Sequence, residues 1–171
     1  MEVIVVKDYD AVSEKAFEVM KEVVTSKKAP VLGLATGSSP VGLYKNMIKD
    51  HEENGTSYAD VVTFNLDEYV GIDRNHEQSY WTFMHENLFK GIDVKEENVH
   101  VPYGNTKADC EAYEKAMEDY SVDIQVLGLG HNGHIGFNEP ADSFSCGTHL
   151  VDLTESTLNA NKHFFTSKTN I

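Results

Sequence analysis

One order repeats along this chain and constrains it more than any other feature: a short β-branched apolar run, a polar glycine-containing loop, then apolar residues recurring every three or four positions. Residues 3–6, 31–35, 61–65 and 124–129 read as strands, with a shorter candidate at 98–102. Helical spacing links Val12, Ala16, Val19, Met20, Val23 and Val24, with Asp10 placed to cap that helix. A second helix carries Val41, Tyr44, Met47 and Ile48, with Ser39 as its cap and Pro40 at its first position. Tyr80, Trp81, Met84, Leu88 and Phe89 mark a third, and Tyr113, Ala116, Met117 and Tyr120 a fourth. Such alternation builds an α/β fold, a mostly parallel sheet with helices on both faces. The length of 171 residues, without linker or internal repeat, predicts a single domain over 1–171. Ligands of such sheets bind beyond the carboxyl ends of the strands, so the loops at 36–40, 66–71 and 130–140 are expected to converge on one site.

Charge limits what that site can meet. Twenty-eight acidic against fourteen basic residues give a net charge of −14, so nucleic acid and anionic membranes are repelled. Thirteen of those fourteen are lysines, and Arg74 is the only arginine, so forked phosphate recognition has one candidate side chain. Cys110 and Cys146 form neither a CxxC pair nor a disulfide framework, and no stretch resembles a signal or membrane-spanning segment. The expectation is a soluble, cytoplasmic protein.

Thr36, Gly37, Ser38 and Ser39 follow a strand and precede a helix, which supplies hydroxyls and free backbone N–H groups for a phosphate without a cationic side chain. The same residues also suit an ordinary strand-to-helix turn. They are neither a Walker loop nor GxGxxG, so nucleotide binding is disfavoured. Asn65 and Asp67 share one side of an extended segment, which aims Asp67 at the crevice and Glu68 away from it. A carboxylate desolvated there is a candidate base for a carbon acid beside a carbonyl or imine; a solvated acidic turn is the alternative.

The stretch 128–140 holds Gly128, Gly130, Gly133 and Gly136 among His131, Asn132, His134, Asn138 and Glu139. His134 is the natural acid–base group near neutral pH, with Asn132 or Glu139 to orient its ring. A metal site from His131, His134, Glu139 and Asp67 is disfavoured, since no compact ligand spacing is present. His149 and His163 have no evident partners. Tyr80, Trp81 and Phe83 suit core packing better than base stacking in so acidic a chain.

Leu-Gly-Leu-Ala-Thr-Gly-Ser-Ser-Pro at 32–40, Thr-Phe-Asn-Leu-Asp-Glu-Tyr-Val-Gly at 63–71 and Gly-His-Asn-Gly-His-Ile-Gly-Phe-Asn-Glu-Pro at 130–140 together resemble the glucosamine-6-phosphate deaminase family, in order and in spacing. Ser79, Tyr80 and Met84 extend the likeness, which runs from the first strand to about Phe165. The resemblance implies a Rossmann-like three-layer αβα sandwich acting on glucosamine 6-phosphate, with water, to give fructose 6-phosphate and ammonia. It implies no metal and no organic cofactor. Asp67 would move a proton from C2 toward C1, His134 would assist ring opening with Asn132 and Glu139, and Thr36, Gly37, Ser38 and Ser39 would hold the phosphate. Related 6-phosphogluconolactonases share the fold but lack the Asp67 motif, which lactone hydrolysis does not need.

The chain departs from the family's pattern in two ways. His163, beside Lys162, stands where members carry a phosphate-binding arginine, which leaves it a weak phosphate contact at best. The chain also ends at Ile171, before a C-terminal region holding a phosphate-binding lysine, which implies an incomplete sheet, an exposed edge and a tendency to aggregate. An inactive sugar-phosphate-binding fragment and a lactonase-like hydrolase are therefore the competing readings. Some members are hexamers activated by N-acetylglucosamine 6-phosphate; with Asp142, His149 and Val151 at the matching positions no such activation is expected here, and a homo-oligomer stays possible.

Overall fold

A computed structural model of the chain describes residues 1–130, 132–143, 147–155 and 157. Its elements are α1 (Tyr9–Ser26), β1 (Val31–Leu34), α2 (Val41–Asn54), β2 (Val62–Asn65), α3 (Tyr80–Asn87), β3 (Val99–His100), α4 (Lys107–Met117) and β4 (Ile124–Gln125). Two single 3-10 turns, Phe89–Gly91 and Glu96–Asn98, join α3 to β3.

The four strands are parallel, in the order β3-β2-β1-β4. Leu34 lies opposite Asn65, and Leu32 opposite Ile124. Both β1 and β2 are buried at every position, as expected of central parallel strands covered on two faces. One face presents Leu32 and Leu34 to Met20 and Val24 of α1, Leu43, Tyr44 and Met47 of α2, and Met84 of α3. The opposite face presents Val31, Val62 and Phe64 to Tyr113 and Met117 of α4. The result is the expected three-layer α/β arrangement.

Strand order carries the functional consequence. From β1 the chain steps outward to β2 and β3, then α4 returns it to the far side of β1 for β4. The order therefore reverses between β1 and β4, and the crevice at such a switch point is where ligands bind in these folds. The loop after β1 begins at Ala35 and the loop after β4 runs into 130–140, so two of the three expected loops flank that point, and the Asp67 loop follows β2 next door.

Four local expectations differ from the structure. Residues 3–6 are not a strand: Val3 and Val5 are 69% and 88% exposed, and no described strand pairs with them. β4 is two residues long rather than six; Val126 N–H still reaches Gly33 O at 2.8 Å, but Leu127 and Leu129 are exposed. The cap of α1 is Asp8, whose extended backbone lets Oδ1 accept the Ala11 N–H at 2.9 Å, while Asp10 already lies in the first turn. Ser39 does not cap α2. Pro40 occupies that position without a side-chain bond, and the hydroxyl of Tyr9 in α1 takes the Gly42 N–H instead, at 2.8 Å.

Candidate active site

The loop after β1 leaves Gly37, Ser38 and Ser39 exposed, with Thr36 half-buried beneath them. Tyr9 shapes it from outside: its hydroxyl lies 2.9 Å from the Ser38 carbonyl oxygen and 3.1 Å from that of Ser39, while accepting the Gly42 N–H. One tyrosine therefore ties the ascending loop to the first turn of α2.

The turn after β2 divides its two carboxylates. Glu68 turns to the start of α3, where Oε1 accepts the N–H of Tyr69 at 2.9 Å and of Tyr80 at 3.0 Å, and Oε2 that of Trp81 at 3.1 Å. Asp67 instead faces the 130–140 loop and accepts the backbone N–H of Phe137. Gly136 permits that approach. It sits at φ +59°, and a Cβ placed on it would stand 2.8 Å from Asp67 Oδ2 and 2.6 Å from Leu66 Cδ2. Burial pushes the Asp67 carboxyl up to about 7, the neighbouring Glu68 charge adds to the shift, and the Phe137 N–H opposes it.

The 130–140 loop carries a linked row of polar groups. His134 Nδ1 lies 2.6 Å from Asn132 Oδ1, and Asn132 Nδ2 donates to Glu139 Oε2 at 2.6 Å. Because Asn132 Oδ1 accepts, Nδ1 carries the ring proton, and Nε2 of the neutral imidazole is left to accept one. A side chain on Gly130 would collide with the His134 ring, so glycine there lets the imidazole lie on the backbone. Glu139 Oε1 is held by the hydroxyl of Thr157 at 2.6 Å and by the hydroxyl and N–H of Thr154 at 2.9 and 3.2 Å. These bonds, that of Thr157 foremost, lower the Glu139 carboxyl to about 2 despite the cost of desolvation.

An aromatic joint brings the three loops together. The rings of Tyr69, Tyr80 and Phe137 lie 5.1 to 5.7 Å apart by centroid, a range in which offset and tilted aromatic pairs attract. The Tyr80 hydroxyl is 3.5 Å from that of Tyr69 and also bonds to the Thr36 side chain. Tyr80 and its helix neighbours Trp81 and Phe83 pack against the core as expected, and Tyr80 also reaches Thr36 and Phe137.

Asp67 and Thr36 are thus linked to the 130–140 loop, which carries Asn132, His134 and Glu139, through Phe137 and Tyr80, while Gly37, Ser38 and Ser39 are exposed next to Thr36 in the chain. His149 Nδ1 contacts the Gly147 carbonyl, and His149 lines the same cavity as Asp67. The expectations for His131 and His163 fall outside the described residues. Among the described residues no three His, Cys, Asp or Glu side chains are grouped to hold a metal ion, and no helix is long and apolar enough to cross a membrane. A cavity of about 980 Å³ opens on the α4 side, lined by Asp67, Tyr103, Tyr113, Phe137 and Leu153 among others. The His134 relay and Thr36 to Ser39 do not line it, so Asp67 and Phe137 mark its boundary with the loop cluster. Sequence reasoning passed over Glu68 as an anchor, the Tyr69–Phe137 contact and the two threonines on Glu139; only the last lie at a spacing, 154 and 157, that a helix-start pattern would have drawn out.

Residues 8–137 match the sequence pattern of the glucosamine-6-phosphate isomerases/6-phosphogluconolactonase family. The chain is 47% identical to a glucosamine-6-phosphate deaminase of Thermoanaerobacter sp. (strain X514), over 98% of this chain and 68% of that protein. It is 45% identical to one from Clostridioides difficile (strain 630), over 100% of this chain and 70% of that protein. A solved monomeric glucosamine-6-phosphate deaminase superposes with a TM-score of 0.92 at 39% identity, covering 96% of this chain and 70% of the other. A 6-phosphogluconolactonase from Thermotoga maritima is more distant, at TM-score 0.65 and 23% identity over 78% of this chain and 62% of the other, and shares the fold.

Proposed function

This chain belongs to the glucosamine-6-phosphate isomerase and 6-phosphogluconolactonase family, and within it we propose that the protein converts glucosamine 6-phosphate and water to fructose 6-phosphate and ammonia. One observation carries the choice: Asp67 is a half-buried carboxylate whose pKa stands at about 7, beside a crevice and opposite a histidine loop. Isomerising an amino sugar requires a base for a carbon-bound proton, whereas hydrolysing a lactone does not. A base that titrates near neutral pH balances availability against strength.

His134 Nε2 begins the sequence by taking the proton of the C1 hydroxyl and passing it to the ring oxygen, which breaks the bond from C1 to that oxygen and opens the pyranose to the aldehyde, with Asn132 and Glu139 holding the imidazole in its Nδ1–H form. Asp67 then takes the proton from C2 while the C1 carbonyl oxygen gains one from solvent, leaving an enolamine across C1 and C2; Asp67 returns its proton to C1, and loss of one N–H proton to solvent leaves an imine at C2. Water adds to that imine and ammonia leaves, so the carbon skeleton ends as the ketose and the proton count balances. Glu139, lowered to about 2, stays ionised throughout and stabilises positive charge reaching His134 through Asn132. The phosphate would rest on the hydroxyls and N–H groups of Thr36, Gly37, Ser38 and Ser39, with none of the chain's lysines required at that loop.

The test is a parallel assay: ammonia release from glucosamine 6-phosphate, and acid release from 6-phosphogluconolactone, at matched protein concentration. Ammonia without lactone turnover is the expected result. Lactone turnover without ammonia would transfer the protein to the other branch of its family.

A further inference from the structure

Glu68 accepts three hydrogen bonds, all from backbone N–H groups. Tyr80 and Trp81 open α3, where N–H groups lack partners within the helix. Glu68 satisfies both, at 3.0 and 3.1 Å, and Ser79 Oγ takes the next, from Thr82, at 3.0 Å. The same carboxylate accepts the Tyr69 N–H of its own turn at 2.9 Å. A negative group at a helix start also meets the positive end of the dipole. The Glu68 side chain therefore fastens the turn at 66–71 to α3, beside the Tyr69–Tyr80 contact, and Asp67 is the residue immediately before it. On its other side Asp67 meets the Phe137 N–H and Gly136.

We infer that Glu68 is a positioning residue: by closing the N-terminus of α3 it fixes the turn that presents Asp67 to the crevice. The inference rests on the reading of Asp67 as the base. Its electrostatic consequence has a definite sign. The titratable groups facing Asp67 are Glu68 and Tyr69 from its own turn, Tyr80 from α3 and Tyr113 from α4. Burial raises the three tyrosines, which stay neutral near pH 7; burial also raises the Glu68 carboxyl, a rise opposed by the N–H groups of Tyr80, Tyr69 and Trp81 and by Arg74, and the Glu68 charge in turn raises Asp67. A fixed like charge beside Asp67 keeps it a stronger base.

The experiment uses the full chain, carbon-13 labelled, with the Asp67 carboxyl identified by its loss in Asp67→Asn. Its titration, the amide exchange of Tyr80 and Trp81, and ammonia-release kinetics are read in the parent, Glu68→Gln and Glu68→Asp. In Glu68→Gln the Asp67 midpoint is expected to fall by about half a unit or more, amide exchange at both positions to quicken about fivefold, and kcat to drop about tenfold with little change in KM. Glu68→Asp keeps the charge but loses reach, so it retains the midpoint and not the amide protection. An unchanged Asp67 midpoint and unchanged exchange in folded Glu68→Gln would overturn the inference. If Glu68→Gln does not fold, Glu68→Asp decides it: protected amides at Tyr80 and Trp81 in that variant would equally overturn it. Absence of ammonia release by the parent would overturn the deaminase reading alone, because titration and exchange need no substrate.

Discussion

Asp67 and Glu139 are carboxylates of one site whose surroundings drive them in opposite directions, to about 7 and about 2. Burial beside a like charge favours the neutral form of Asp67, while three hydroxyl and amide partners favour the charged form of Glu139. Two groups so separated can serve as a proton-accepting base and a permanent anion at the same pH. The account predicts that kcat/KM for ammonia release rises with pH through about 7, because only ionised Asp67 can take the proton; a rate–pH curve flat across that range contradicts it. Thr157→Val is expected to raise the Glu139 midpoint toward its ordinary 4.5 and to slow turnover several-fold, since the Thr157 hydroxyl is the largest contributor to that shift. Carboxyl titration by NMR checks the first half and steady-state kinetics the second. The acid–base candidates themselves were legible in the sequence, because an Asp after an apolar strand and a His in a glycine-rich loop are unusual placements for charge. Their environments were not: the threonines on Glu139 and the Phe137 N–H on Asp67 come from residues 15, 18 and 70 positions away.

At the scale of elements, α2 shows how a helix start can be completed from elsewhere. Sequence placed Ser39 there as the cap, a sound local choice, but the Tyr9 hydroxyl of α1 supplies the bond to Gly42 and contacts the Ser38 and Ser39 carbonyls. Tyr9→Phe removes all three contacts. It is expected to lower stability by about 1 kcal/mol and to raise the KM for a phosphorylated substrate several-fold while kcat changes little; an unaltered KM would detach this tyrosine from the phosphate loop. The helices were readable because α1, α2 and α4 keep apolar residues in step with 3.6 per turn. Strand lengths were not readable, since of the run 124–129 only Ile124 and Gln125 pair with β1 as a strand. Packing inside the larger core is tight: Met47 is fully buried between the sheet and its neighbours, and Met47→Ala should cost about 2–5 kcal/mol in chemical denaturation.

For the whole molecule, the reversal of strand order between β1 and β4 gathers three distant loops at one edge of the sheet, and the Tyr69, Tyr80 and Phe137 rings lock them. The site opposes stability. Asp67 has a folded value above its ordinary 3.8, so its favourable contribution is complete below about pH 4 and is lost as pH rises through about 7. Removing its charge with Asp67→Asn should therefore stabilise the protein at pH 8 by about 2 kcal/mol, less than a shift of that size gives in a dry interior, and the gain should vanish in acid. Glu139 runs the other way, contributing above 4.5 and failing as pH falls through about 2. Thermal melts of the parent and Asp67→Asn at the two pH values separate the effects.

The most direct test of the central claim, that Asp67 is the carbon-acid base of an amino-sugar-phosphate deaminase, is ammonia release from glucosamine 6-phosphate by the parent and Asp67→Asn, followed across neutral pH. The account predicts release that climbs through about pH 7 in the parent and falls by about 100-fold or more in the folded variant. Release by Asp67→Asn within a few-fold of the parent would contradict it.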